Sequence, residues 1–213
     1  VGCGGTGKTW LAREVIKLLQ AAGIEVRIVA FTHLAAQNIG GQTIHAFLHD
    51  CPSFKGVLVV DEASLVPVTL WGELAKYVHC GAQFFVLGDF RGQFMPAHNT
   101  WKGTELTAVD VEESAFLRRL CGCQRFELTV NRRSDSELFD FYAPICRGGA
   151  REHEPLSSLL RDAHQRFPPR GSDLDVRWHL TISNRARLEL NRRVNEHEAQ
   201  QYEEGAGETA EYL

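Results

Sequence analysis

Residues 1–10 read VGCGGTGKTW, and they place Gly2, Gly7, Lys8 and Thr9 at the spacing G-x-x-x-x-G-K-[ST]. That spacing describes a phosphate-binding loop. Gly2, Gly4, Gly5 and Gly7, with Thr6 among them, let successive backbone N–H groups turn inward onto a β-phosphate, and the helix that follows adds its positive end. Lys8 is then placed to reach the β- and γ-phosphates, and the Thr9 hydroxyl to coordinate Mg²⁺. The helix is written in the next residues. TWLAREVIKLLQAAG (9–23) sets Leu11, Val15, Leu18, Leu19 and Ala22 on one stripe and stops at Gly23.

Such a loop normally hangs from the C-terminal end of a buried strand, yet only Val1 precedes it here. The expectation is a sheet whose central strand lies outside these residues. Made alone, the piece is expected to be poorly stable and nearly inactive, because the neighbouring backbone groups lose their partners.

Outward from the loop, four short apolar runs follow: VRIVAF (26–31), VLVV (57–60), FFVLG (84–88) and FELTV (126–130). Those at 57–60 and 84–88 are continuous rather than alternating, as strands covered on both faces are. Helical patterns lie between and after them, in VTLWGELAKYV (68–78) and EESAFLRRL (112–120). The alternation predicts an α/β fold with a mostly parallel sheet. Two runs end in chemistry. VLVVDEAS (57–64) delivers Asp61 and Glu62 to the edge of the sheet beside the loop, Asp61 to hold Mg²⁺ through water and Glu62 to orient or deprotonate an attacking water. VLGDFRGQF (86–94) ends in Asp89 and, further along its loop, Gln93, an amide able to touch both a γ-phosphate and that water.

Composition limits the alternatives. A hydrophobic content of 44% with 23% charged residues is that of an ordinary folded domain. No apolar run approaches a membrane-spanning length. The net charge of −4 does not advertise nucleic-acid binding, but leaves room for a narrow basic track. The six cysteines lack paired metal-ligand spacing and read as buried free thiols in a reducing, intracellular compartment, whether nuclear, mitochondrial or cytoplasmic. After Arg147 the chain turns polar, breaks at FPPRGSD (167–173), and offers one more strand, WHLTIS (178–183), before a charged helix from about Asn184. The acidic end, residues 196–213, is expected to be frayed or disordered.

With these elements in order, the sequence resembles the superfamily 1 DNA helicases of the RecD-like and Pif-type group. GCGGTGKT is similar to that family's motif I, and FTHLAAQNIGGQTIHAFL (31–48) to its motif Ia region. VVDEAS resembles motif II, LGDFRGQFMP motif III, and LTVNRRSDSELFDFYAPICRGG (128–149) motif IV with its following helix. The resemblance covers about two-thirds of the chain. One departure lies in motif III, where the family usually has two residues between Asp and Gln and this chain has three between Asp89 and Gln93. Another is Trp10, bulky for the position after Thr9.

The resemblance implies a RecA-like ATP-binding domain over residues 1–127, the start of a second RecA-like domain over 128–195, and the acidic tail at 196–213. It implies ATP and Mg²⁺ as cofactors, with Arg133 (Arg132 second, Arg147 weaker) on the γ-phosphate. It places Thr32, His33, Thr43 and His45 along single-stranded DNA, touching phosphates and sugars; for His45 a buried, backbone-satisfied histidine is nearly as good a reading. Phe31, Phe47 or Trp101 are candidates for base stacking, with core packing the commoner role for such aromatics. The implied activity is ATP-driven movement on single-stranded DNA and unwinding at a duplex junction, 5′ to 3′, by a monomer in DNA repair or recombination. Two other classes stay open: a P-loop ATPase that is not a motor, and an inactive helicase-derived remnant acting as a binding module.

Overall fold

The computed structural model describes residues 1–93, 96, 99–146, 151, 153–168, 181 and 183–210, and the chain divides into two compact units, Val1–Pro155 and Leu156–Leu213. In the first, α1 (Lys8–Ala21) follows the phosphate loop and leads to β1 (Val26–Ala30), α2 (His33–Ile39), β2 (Gln42–Thr43) and α3 (Ile44–Asp50). Then come β3 (Val57–Asp61), a 3₁₀ turn (Ala63–Leu65), α4 (Val68–Ala75) with a 3₁₀ extension (Lys76–Cys80), and β4 (Gln83–Val86). A small hairpin of β5 (Thr100–Trp101) and β6 (Thr104–Glu105) precedes α5 (Ala108–Glu113), α6 (Ala115–Leu120) and α7 (Ser136–Cys146).

The main sheet has the order β2-β1-β3-β4, and every pairing in it is parallel. β1 and β3 pair over five residues, Val26↔Val57 through Ala30↔Asp61. All five residues of β3 are buried. Its alternate side chains enter opposite cores: Leu58 and Val60 pack with Val29, Ile44, Phe47, Trp71 and Leu74, while Val57 and Val59 pack with Ala12, Ile16, Ile39 and Leu87. Helices α3 and α4 therefore cover one face and α1 and α2 the other. This is the reason the run at 57–60 is apolar without alternation.

Several expectations are corrected in detail. Helix α1 turns Ala12 and Ile16 fully inward, and Leu18, expected on the core stripe, is exposed. Ala12 and Ile16, one turn apart, pack in one cluster with Val57 and Val59 and so set the buried face, which leaves Leu18 on the solvent side. The pattern at 112–120 is two helices, broken at Ser114, whose hydroxyl accepts the Leu117 N–H at 3.1 Å and starts α6. Residues 126–130 form no strand, although the Val1 amine donates to Phe126 O at 2.8 Å and the Leu128 N–H to Val1 O at 2.9 Å. Cys3 is buried as expected, but Cys80 and Cys123 are exposed thiols.

The second unit contains α8 (Leu156–Arg166) and α9 (Asn184–Ala210). The charged helix starts where its sequence placed it, and the acidic stretch continues in the same helix to Ala210. Its first turns carry good helix formers and the pairs Arg192–Glu189 and Arg192–Glu196, spaced one turn apart. The expected strand at 178–183 lies largely outside the described residues.

Gly41 fixes the approach of β2 to β1. A Cβ there would lie 2.4 Å from the carbonyl oxygen of Ile28. Backbone cannot move aside without breaking the pairings Val29↔Gln42 and Ala30↔Thr43. Gly41→Ala is expected to lower stability by about 1–3 kcal/mol, the usual range for overpacking. Urea unfolding checks it, and an unchanged midpoint would show that the strand can shift at no cost.

Candidate active site

A parallel sheet brings the C-terminal ends of its strands to one edge, where open α/β folds bind their ligands. Asp61 ends β3, Thr43 ends β2, Thr32 follows β1, and Asp89 and Gln93 follow β4. The phosphate loop lies at the same edge through Asp61. The Thr9 hydroxyl donates to Asp61 Oδ2 at 3.5 Å, and the Glu62 N–H donates to Asp61 Oδ1 at 2.9 Å. Within the loop, Gly5 and Gly7 hold positive φ values of 81° and 89°, and Gly7 begins α1. The Lys8 ammonium donates to Gly2 O at 2.7 Å and Cys3 O at 3.0 Å, and the buried Thr6 hydroxyl donates to Cys3 O at 2.8 Å.

Asp61 is buried, and that burial raises its carboxyl above the ordinary range. The backbone N–H of Glu62, Lys8 and Thr9 oppose the rise, while the charge of Glu62 adds to it. Glu62 has φ 51°, left-handed for a residue with a side chain. Such conformations are costly and gather at functional sites. Here the twist turns Glu62 away from the strand and onto Gln93, whose Nε2 donates to Glu62 Oε2 at 2.7 Å. The other end of the same amide, Oε1, accepts from the Ser64 hydroxyl. Gln93 is thus held at both ends by the segment that follows β3.

The extra residue between Asp89 and Gln93 is taken up in a tight turn. Asp89 is buried, its Oδ1 accepts the Gly92 N–H at 2.8 Å, and a Cβ on Gly92 would stand 2.6 Å from that carboxylate. The turn shortens the loop and returns Gln93 to Glu62. Ser64 is the functional neighbour that sequence reading did not assign. Its signal in the sequence was its place two residues after Glu62; its burial, at 1% exposure, emerges only from the fold.

Two of the candidate arginines, Arg132 and Arg133, lie against the loop. The Arg132 N–H donates to Gly5 O at 2.9 Å, and a Cβ on Gly5 would lie 3.1 Å from Arg133 Cβ. Asn131 builds the turn that carries them, its Oδ1 accepting the Arg133 and Ser134 N–H groups at 3.1 Å each. Arg147 lies outside the described residues.

Of the DNA candidates, Thr32 and Thr43 are half-buried N-caps. Their hydroxyl oxygens accept Ala35 N–H and Ala46 N–H, each at 3.2 Å. A capping hydroxyl still has its own proton to donate, so the role in the helix leaves a phosphate contact open. His33 and His45 are exposed, and the reading of His45 as a buried core histidine is thereby corrected. Its ring stands 6.1 Å from that of Phe31, which brings the two segments together at one place on the edge. Phe47 is fully buried core, whereas Trp101 is 53% exposed on the β5–β6 hairpin.

With this geometry in place, comparison is informative. Residues 1–96 match a family model described as an AAA domain. The chain is 56% identical over 48 residues to the ATP-dependent DNA helicase PIF1 of Saccharomyces cerevisiae, covering 22% of this chain and 6% of that one. To the ATP-dependent DNA helicase PIF1 of Trypanosoma brucei brucei it is 28% identical over 110 residues, 42% of this chain and 12% of that one. Its fold matches the crystal structure of Pif1 helicase from Candida albicans with a TM-score of 0.58 and 26% identity, over 82% of this chain and 45% of the other. In sequence and in fold the chain is thus similar to Pif1-type helicases. It spans less than half the length of each of these three relatives. The family-model match ends just past Gln93, so it includes the loop, Asp61, Glu62 and the amide, while the arginine turn lies beyond it.

The raised Asp61 carboxyl has a consequence for stability. A group whose folded pKa exceeds its unfolded value favours the fold when protonated, so its penalty is absent below the unfolded pKa and complete above the folded one. Asp61→Asn mimics the protonated form. Without nucleotide or metal it is expected to raise the thermal midpoint near neutral pH, by an amount that shrinks as pH falls into the carboxylate range. A variant less stable than wild type at neutral pH would contradict the assigned cause.

Proposed function

We propose that this protein is the ATP-binding part of a DNA motor, which couples ATP hydrolysis to movement on single-stranded DNA and to unwinding at duplex junctions. The observation that carries the reading is the amide of Gln93 fixed between Glu62 and Ser64, at the edge that also holds the phosphate loop and Thr43. A binding loop alone needs no such bridge. A motor needs one, because the state of the nucleotide must be reported to the surface that grips the track.

In this reading Lys8 and the loop amides of residues 2–9 bind the phosphates of ATP. Thr9 and Asp61 would hold Mg²⁺, and their hydroxyl–carboxylate pairing at 3.5 Å fits the hard oxygen ligands that ion prefers. When bound, the ion supplies charge neutralisation on the phosphates. Glu62 orients the attacking water and accepts its proton. Arg133 meets the γ-phosphate, with Arg132 as the neighbour on the same turn. Residues 1–127 act as the first RecA-like domain and residues 128–195 as the beginning of the second, so that ATP draws the two together and hydrolysis releases them. Thr32, His33, Thr43 and His45 contact the backbone of the strand, and travel is 5′ to 3′. The motor works as a monomer. The free thiols, two of them exposed, suit a reducing compartment.

The test is steady-state ATP turnover by the full-length protein with and without single-stranded DNA. Glu62→Gln is expected to reduce turnover by about 10²–10⁴-fold, the usual contribution of a general base, with ATP affinity retained. Lys8→Ala is expected to lose both. Thr43→Val with His45→Ala is expected to leave DNA-free turnover within about twofold while removing most of the stimulation by DNA. Unchanged stimulation in that variant would favour an ATPase that is not a motor. Absence of turnover and of ATP binding in wild type would favour the remnant.

A further inference from the structure

The turn that carries the arginines is fastened to the phosphate loop by two bonds, and both end on loop carbonyls. One is the Arg132 N–H on Gly5 O, at 2.9 Å. The other comes from α7: the Tyr142 hydroxyl donates to Gly4 O at 3.0 Å and lies 3.3 Å from Ser134 Oγ, on the arginine turn itself. A Cβ added to Gly5 would meet Arg133 Cβ at 3.1 Å, the Tyr142 hydroxyl at 3.6 Å and Asn131 Oδ1 at 3.7 Å. Loop, turn and hydroxyl therefore converge on one residue. The ring of Tyr142 is held edge-on by Phe139, 5.3 Å away between centroids, so the hydroxyl is delivered by a fixed arm.

The peptide unit makes this convergence consequential. A peptide is planar, and its C=O points opposite to its N–H. Gly4 O shares a plane with the Gly5 N–H, and Gly5 O with the Thr6 N–H. These are amides that a phosphate-binding loop turns toward its ligand. Aiming them at a phosphate aims the two carbonyls outward, toward Tyr142 and Arg132. A bound phosphate and the arginine turn would thus read opposite ends of the Gly4–Gly5 peptide plane, while in the second plane the Thr6 N–H donates to Cys3 O at 3.4 Å.

We propose that Tyr142 is a positioning residue: its hydroxyl, bridging Gly4 O and Ser134 Oγ, locks the turn of residues 131–134 in register with the phosphate loop, so that an ordered loop presents Arg133 to the γ-phosphate position. The proposal rests on the reading of this edge as an ATP-hydrolysing site, and extends it to a residue that the motif resemblance gave no role. Tyr142 touches no reacting atom. It acts through the arginine.

The experiment is equilibrium binding of a fluorescent methylanthraniloyl-ADP to the full-length protein, with and without aluminium fluoride, which occupies the γ-phosphate position as a transition-state mimic. Wild type is expected to bind more tightly with fluoride. Tyr142→Phe keeps the ring and removes the hydroxyl. It is expected to bind ADP within twofold of wild type and to lose about fivefold of the fluoride gain, the worth of one neutral hydrogen bond. Ser134→Ala, which leaves the Tyr142 side chain intact, is expected to lose less, in the same direction. Combined with Arg133→Gln, Tyr142→Phe is expected to add little further loss, because the hydroxyl acts only by way of that side chain. A fluoride gain unchanged in Tyr142→Phe would overturn the proposal. So would equal losses for ADP and the fluoride complex, which would mark Tyr142 as merely structural, and so would additive losses with Arg133→Gln. Failure of the underlying reading looks different: wild type then shows no turnover, and Lys8→Ala leaves ADP binding unchanged.

Discussion

The parallel pairing of β1 with β3 is the constraint on which the rest depends. Five residues in register bury β3 between two apolar layers and bring Ala30 level with Asp61. Because the strands run the same way, whatever follows each of them is gathered at one edge. The capped turn after β1, the acidic pair after β3 and the amide loop after β4 are neighbours for that reason alone. Burial then adds the chemistry. A carboxylate at the end of a covered strand is deprived of water, and Asp61 is held in a state that a cation would relieve.

A second layer of organisation joins loops that sequence keeps far apart. Glu62, in a left-handed conformation, reaches Gln93 across 31 positions, and Ser64 takes the opposite end of the amide. Tyr142 reaches Gly4 across 138 positions. Both links are made by side chains with two usable ends, an amide and a hydroxyl. A group of that kind transmits position instead of merely filling space. The phosphate-loop edge is in this sense tied across the sequence twice, once between the segments after β3 and β4 and once between the loop and α7.

Much of this was legible in the residues, and what was not has identifiable causes. The loop and the acidic pair could be read because their chemistry demands fixed residue types at fixed spacing, and β3 because a doubly covered strand needs an unbroken apolar run. The buried face of α1 is hard to read because the periodicity of Leu11, Val15 and Leu18 competes with that of Ala12 and Ile16. No pattern count tells which of the two stripes meets the sheet. Residues 126–130 have strand composition, and the backbone bonds of Phe126 and Leu128 go to Val1, a partner 125 or more positions away that composition cannot register. The location of Gln93 depended on Asp89 folding the loop through Gly92, a single side-chain-to-backbone bond invisible to motif spacing. The roles of Thr32 and Thr43 as helix caps were readable in principle, since each stands just before a short helical run.

The central claim is that nucleotide chemistry at this edge drives travel along a strand, and strand displacement tests it most directly. The full-length protein would be given a duplex carrying a 5′ single-stranded tail, and separately one carrying a 3′ tail, with ATP. The account predicts release of the displaced strand from the 5′-tailed substrate, with no release by the Lys8→Ala protein. ATP turnover that proceeds at full rate on both substrates with no strand released from either would contradict it.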